Sequence, residues 1–107
     1  MIGKTVTVTV DRPLGSFHPN HPDLYYPVNY GYLEGIMAPD GEEQDAYILG
    51  VDVPVRAFTG IVIAIIHRND DVETKWVVVP MGMQISREEI FAATYFQEQY
   101  FDSHIEM

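Results

Sequence analysis

Hydrophobic and polar positions follow the period of β-strands through most of the chain before Pro80. Residues 5–10 place Val6, Val8 and Val10 on one face and threonines on the other, the pattern of a half-buried strand. Two later segments are nearly unbroken aliphatic runs of strand length, and the charged residues 68–74 between them predict a hairpin with a polar tip. The predicted strands are Thr5–Val10, Val28–Leu33, Ala46–Val51, Gly60–His67 and Lys75–Val79.

The segments between these strands carry loop and turn signals. Residues 12–27 hold four prolines, and proline lacks the backbone donor that a helix or a central strand needs, so a long surface loop is predicted. Pro39, Asp40 and Gly41 form a typical turn sequence within residues 35–43.

A helix is predicted after Pro80. Ser86 is followed three residues later by Glu89, which is the spacing of a capping box, and the helix is expected to run to about Tyr100. Five short strands before one helix predict a mainly β (α+β) fold, a small closed or partly open barrel in a single domain over residues 1–107. The residues expected to face the core from the helical segment are Ile90, Phe91, Thr94, Tyr95 and Phe101.

Composition and charge limit the classes of partner. The chain has 107 residues and a formal charge of −10, from 16 acidic and 6 basic residues with no basic cluster, which argues against nucleic-acid and anionic membrane partners. It has no cysteine, which removes disulfides and thiolate sites. We find no apolar run of membrane-spanning length and no signal-peptide pattern, so a cytoplasmic protein is expected.

Two acidic segments are candidates for chemistry. Residues 40–45 read Asp-Gly-Glu-Glu-Gln-Asp, and their carboxylates could converge on a hard cation such as Mg²⁺. Residues 69–75 also concentrate oxygen ligands, and Glu73 and Lys75 lie on one face of an extended strand. For both segments the alternative is a solvated turn with no further role.

The histidines give weaker signals. His18 and His21 are three residues apart, but the proline between them prevents a regular helix from presenting both to a metal. His67 ends a strand and is more typical of a structural or solvated histidine than of a general base. His104 is expected in a frayed tail.

Three ordered motifs resemble the soluble inorganic pyrophosphatases. Residues 26–32 read Tyr-Pro-Val-Asn-Tyr-Gly-Tyr, and residues 40–45 follow them at the spacing of that family's Asp-Gly-Asp-x-x-Asp motif. Residues 70–80 resemble the family's acidic segment, which ends in Asp-x-Lys and an aliphatic strand closed by proline. The stretch 10–12 resembles a further element upstream, and the resemblance covers roughly residues 26–80.

The resemblance implies an OB-like five-stranded β-barrel with a C-terminal helix, several Mg²⁺ ions and hydrolysis of pyrophosphate to two phosphates. Metal-activated water is the nucleophile in such chemistry. By position in the motifs, the implied metal ligands are Asp40, Glu42, Asp45, Asp70 and Glu73. The implied substrate-binding residues are Lys4, Arg12, Tyr30, Lys75 and Tyr100, and the implied catalytic residues are Glu42, Lys75, Tyr30 and Arg12.

Several positions depart from the family pattern. Glu42 and Glu73 stand where the family has aspartate, and Phe101 stands where it has lysine. Loss of that cation leaves two alternatives open: a barrel-fold binding or oligomerisation module whose catalytic set has eroded, or a phosphohydrolase of another diphosphate compound. A small domain with many tyrosines and phenylalanines is also expected to form a homo-oligomer.

Overall fold

A computed structural model describes residues 1–107. They form a closed five-stranded barrel, one helix, a separate two-stranded sheet and a short C-terminal strand. The barrel strands follow the order β1-β4-β5-β7-β6, and β6 pairs with β1 to close it. The β5–β7 pair is parallel and the other pairs are antiparallel. The elements are β1 (Thr5–Arg12), β2 (Phe17–His18), β3 (His21–Tyr25), β4 (Asn29–Met37), β5 (Glu43–Ile48), β6 (Ala57–Arg68), β7 (Thr74–Val79), α1 (Arg87–Glu98) and β8 (Ser103–Glu106).

The predicted fold class is confirmed: the protein is mainly β, with an OB-like five-stranded barrel and a C-terminal helix. Strand β6 shows how the sequence builds it, because every second side chain from Gly60 onward is buried. Val62, Ala64 and Ile66 point inward by this alternation, and they pack with the fully buried valines of β7. The same alternation also turns the next even-numbered residue, Arg68, toward the interior.

The prediction for residues 12–27 was wrong in part. This segment is not a continuous loop, because β2 and β3 pair within it as a small two-stranded sheet. Prolines are compatible with this arrangement. Both strands of a two-stranded sheet are edge strands, and proline is tolerated in an edge strand where the backbone N–H would face solvent. Tyr26 anchors the end of the segment and is fully buried in the barrel core.

The helix begins as predicted, since Ser86 and Glu89 form both hydrogen bonds of a capping box. It ends at Glu98, slightly earlier than expected. Its predicted core face is wrong in part: Ile90 and Thr94 are buried, but Phe91, Tyr95 and Phe101 are exposed. The buried face instead continues along the i, i+4, i+8 stripe to Glu98, a charged residue that the apolar pattern could not indicate.

The prediction of a frayed tail at His104 was also wrong. This residue lies in β8, which pairs antiparallel with β6, and its ring stacks on that of His67 opposite. Because β1 pairs with β6 only over residues 57–61, the edge of β6 opposite β7 is free at residues 65–68, and β8 pairs there and extends the sheet at one end of the barrel. With 12 residues, α1 is too short for a membrane-spanning helix.

Candidate functional site

A cleft of about 560 Å³ opens at the end of the barrel where β5 and β7 begin and β6 ends. Because β5 and β7 are parallel neighbours, Asp45 and Lys75 lie directly opposite each other at this end. The β2–β3 sheet forms one wall, and the end of α1 with residues 100–101 forms another. Six residues predicted from the sequence line the cleft: Arg12, Tyr30, Asp45, Glu73, Lys75 and Tyr100.

Lys75 is the centre of the charged part of the cleft. Its Nζ donates to Asp45 Oδ2 at 2.7 Å and to Glu73 Oε1 at 2.6 Å, and its side chain is only 4% exposed. The ammonium also lies 5.5 Å from the centre of the Tyr30 ring, within the range of a cation–π contact. The predicted placement of Glu73 and Lys75 on one face of the strand is confirmed by their ion pair.

The environment keeps Lys75 protonated. Burial by itself would lower the pKa of the Lys75 ammonium, but the Tyr30 oxygen and the Asp45 and Glu73 carboxylates outweigh it. The pKa of Lys75 therefore lies above its ordinary value. Lys75 is therefore positively charged at neutral pH.

Arg68 is a second fixed cation beside Lys75. Its Nη1 donates to Glu73 Oε2, while its Nε and Nη2 donate to the two oxygens of Glu98 at 3.3 and 3.2 Å. The Phe101 ring covers the guanidinium at 3.5 Å from the ring centre. Burial acts to lower the pKa of Arg68, but hydrogen bonding and charge from Glu98 and Glu73 raise it above its ordinary value.

A continuous hydrogen-bond network behind the cleft lining connects Arg68 to Arg12. Glu98 Oε2 accepts from the Tyr47 hydroxyl at 2.6 Å, and Tyr47 in turn accepts from Gln97 Nε2 at 2.7 Å. Gln97 Oε1 then accepts from the Tyr26 hydroxyl, which accepts from Arg12 Nη1 at 3.2 Å. Every donor in this series meets an acceptor, so both arginines are held in place by the same network.

The β2–β3 wall contributes His18, His21 and Asp23 to the rim. The Nδ1 atom of His18 accepts from the Asn20 backbone N–H at 3.0 Å. Burial, then the charges of Arg12 and His21, lower the pKa of His18, so its neutral form is favoured at neutral pH. The two imidazoles lie 4.8 Å apart, centre to centre.

Four of the predicted site residues lie outside the cleft lining: Lys4, Asp40, Glu42 and Asp70. Asp40 and Glu42 lie on the exposed turn before β5, where Asp40 Oδ1 accepts from the Glu42 backbone N–H. Asp70 is exposed on the turn before β7, and Lys4 borders a different groove, between β1 and β4. The expected convergence of the carboxylates at 40, 42 and 45 is therefore absent, because β5 carries Asp45 inward and leaves the turn in solvent.

Sequence reasoning missed Arg68 and Glu98, which together fix one side of the cleft. The signal for Arg68 was present in the alternation of β6, since residue 68 has the same parity as the buried positions 62, 64 and 66. Glu98 continues the buried helix stripe of Ile90 and Thr94. Each was hidden because a charged residue at the end of an apolar pattern is usually solvent-exposed.

The two carboxylates beside Lys75 fit a divalent cation in one way. No group of three or more histidine or carboxylate side chains is gathered closely enough to hold a metal by itself. Asp45 has one oxygen, Oδ1, that no hydrogen bond or ion pair engages, and its side chain is 35% exposed. Mg²⁺ is commonly held by one or two carboxylates together with substrate phosphates. The donor set therefore fits a cation shared with a phosphate-bearing ligand, and not one enclosed by protein carboxylates.

The fold is similar to solved structures of inorganic pyrophosphatases. The enzyme from Ehrlichia chaffeensis aligns with a TM-score of 0.73 and 17% identity, over 99% of this chain and 87% of that one. The enzyme from Coxiella burnetii aligns with a TM-score of 0.65 and 18% identity, over 99% of this chain and 84% of that one. The enzyme from Thermus thermophilus aligns with a TM-score of 0.62 and 15% identity, over 96% of this chain and 80% of that one. No protein-family model and no curated protein sequence matches the chain. At these identities the likeness establishes the fold.

Proposed function

We propose that the cleft binds pyrophosphate or a related diphosphate and hydrolyses its phosphoanhydride bond with the help of Mg²⁺. The observation that carries the proposal is the meeting of Arg12, Lys75 and Tyr30 with Asp45 in one cleft. Cationic and hydroxyl groups on one side suit phosphate oxygens, and a carboxylate with a free oxygen suits a hard cation on the other. The fold that this chain shares with inorganic pyrophosphatases supports the same chemistry.

The cationic residues would bind and orient the diphosphate. Lys75 is held rigidly by Asp45 and Glu73, so its charge needs no rearrangement when negative charge develops on the leaving phosphate. Arg12 reaches the cleft from the end of β1. It lies at one end of the hydrogen-bond network, and Arg68 lies at the other end. Tyr30 and Tyr100 would supply hydroxyl contacts beside these charges.

Asp45 would hold the cation, with phosphate oxygens and water as the other ligands. When bound, Mg²⁺ supplies charge neutralisation of the diphosphate and a water of lowered pKa. The roles predicted for Asp40, Glu42 and Asp70 as metal ligands, and for Glu42 in handling the attacking water, stay predictions, as does that of Lys4 as a phosphate ligand. Because the acids at 40, 42 and 70 lie on exposed turns, variants at these positions distinguish the motif-based assignment from the cleft-based one.

The test is phosphate release from pyrophosphate, with Mg²⁺ and with a chelator. We expect Mg²⁺-dependent release that Asp45→Asn abolishes while the protein stays folded, because Lys75 keeps its ion pair with Glu73. Asp52→Asn, the same chemical change at an exposed loop residue, is the matched control and should retain the wild-type rate. Equal rates of phosphate release in the Asp45 and Asp52 variants would refute the proposal. Loss of phosphate release in Glu42→Gln would show that Glu42 is a catalytic residue.

A specific observation also favours a second candidate, a binding module without turnover. Lys75 and Arg68 are each engaged by two carboxylates, and Phe101 covers Arg68, so the charged network is closed without a ligand. Binding of the non-hydrolysable analogue imidodiphosphate together with no phosphate release would identify this function. A panel of other diphosphate compounds separates it from a hydrolase of a different substrate. Self-association as a homo-oligomer remains a prediction from the sequence.

A further inference from the structure

The two carboxylates that hold Lys75 are not equivalent. Both oxygens of Glu73 are engaged, Oε1 by Lys75 at 2.6 Å and Oε2 by Arg68. Asp45 uses Oδ2 for Lys75 and leaves Oδ1 without a partner. A cation that approached Glu73 would be repelled by two charged side chains that both pair with it and are both about 95% buried, whereas the free oxygen of Asp45 belongs to a carboxylate that pairs with Lys75 alone.

Arg68 is fixed in this position by Glu98 and Phe101. Glu98, itself 6% exposed, pairs with two guanidinium nitrogens, and Phe101 covers the guanidinium plane. Glu98 is held in turn by the Tyr47 hydroxyl. The guanidinium therefore cannot swing away from Glu73 without leaving a buried carboxylate unpaired, which is strongly unfavourable.

We propose that Arg68 is a built-in cation that takes the place of a metal ion at Glu73. Together with Lys75, Arg68 neutralises the charge of Glu73. Glu73 therefore links two side-chain cations and does not bind a metal ion. The cleft then admits a single divalent cation, at Asp45, when it binds a diphosphate. This inference rests on the proposed function for the identity of the ligand, and it limits the several metal ions implied by the motif resemblance to one.

The matched pair Asp45→Asn and Glu73→Gln tests this division of roles, because each variant removes one negative charge next to Lys75. Equilibrium dialysis with Mn²⁺ and imidodiphosphate measures bound metal and bound phosphorus in the same sample. Metal bound without imidodiphosphate is subtracted, since a strongly acidic surface binds cations weakly. The wild type should bind one additional Mn²⁺ per imidodiphosphate, Glu73→Gln should do the same, and Asp45→Asn should lose the additional metal.

The double variant Arg68→Met with Glu98→Gln tests the built-in cation directly. It removes the guanidinium without leaving Glu98 charged and unpaired, and it frees Glu73 Oε2. The double variant should bind a second additional Mn²⁺ per chain, whereas Arg56→Met, which removes an exposed positive charge, should bind one as the wild type does. If the double variant does not fold, the comparison of wild type, Asp45→Asn and Glu73→Gln still decides the inference.

The outcomes separate this inference from the proposed function. Two or more additional Mn²⁺ in the wild type, or loss of metal in Glu73→Gln, overturns the built-in cation and leaves hydrolysis untouched. One additional Mn²⁺ with no phosphate release from pyrophosphate supports the built-in cation and overturns hydrolysis. Absence of bound imidodiphosphate in the wild type overturns both.

Discussion

Replacing Arg68 by Met should destabilise the protein strongly, and the cause should be Glu98. Methionine keeps most of the volume of the arginine stem, so the main change is electrostatic. Glu98 is 6% exposed and loses two guanidinium hydrogen bonds at 3.3 and 3.2 Å. It keeps a single donor, the Tyr47 hydroxyl at 2.6 Å. The variant therefore buries a carboxylate with one hydrogen bond and no counter-charge.

Removing one partner of a buried ion pair costs about 3–5 kcal/mol of unfolding free energy. Glu73 also loses a partner, but it is 23% exposed and keeps Lys75, so we assign it little of this cost. The expected loss is a large part of the roughly 5–15 kcal/mol total of a small domain. Changing Glu98 to Gln in the same chain removes the buried charge while an amide oxygen still accepts from Tyr47. The double variant should therefore recover most of the loss, to within about 2 kcal/mol of the wild type.

Urea unfolding of the wild type, both single variants and the double variant gives the coupling energy directly. The exposed Arg56→Met variant is the control for loss of one positive charge and should change stability by less than about 0.5 kcal/mol. A loss below about 1 kcal/mol in Arg68→Met would refute the reasoning, since a buried carboxylate would then tolerate the absence of its partner. Additive losses of unfolding free energy in the double variant would also refute the reasoning.

Two further predictions concern the barrel. Gly31→Ala should lower the unfolding free energy measured in urea by about 1–3 kcal/mol or more, because the alanine Cβ would lie 1.9 Å from the Thr9 carbonyl oxygen. An unchanged unfolding midpoint would show that β1 and β4 can separate freely. Burial raises the pKa of both Tyr30 and Tyr47, whereas unfolded tyrosine ionises near pH 10. The native state therefore binds more protons above that pH, so stability should fall as pH rises beyond about 10, and Tyr47→Phe should flatten this fall in urea titrations between pH 8 and 11.

The sequence determined the five barrel strands, the start of the helix and the class of fold. Alternation on β1 and β6 reports which face is buried, because successive side chains of a strand point to opposite sides. The capping box at Ser86 and Glu89 is equally local, since both of its hydrogen bonds lie within four residues. The pairing of Glu73 with Lys75 followed from spacing alone, because both residues belong to one extended segment.

The tertiary structure alone decided which charged residues meet. Asp45 lies 30 residues from Lys75, and Arg68 lies 30 residues from Glu98, so no local pattern connects them. The parallel pairing of β5 and β7 brings the first pair together, and the packing of α1 across the barrel end brings the second. The same long-range packing placed Asp45 in the cleft and left Asp40 and Glu42 in solvent, although all three belong to one motif. A motif fixes the order of its residues, but only the strand that carries them fixes which side chains point inward.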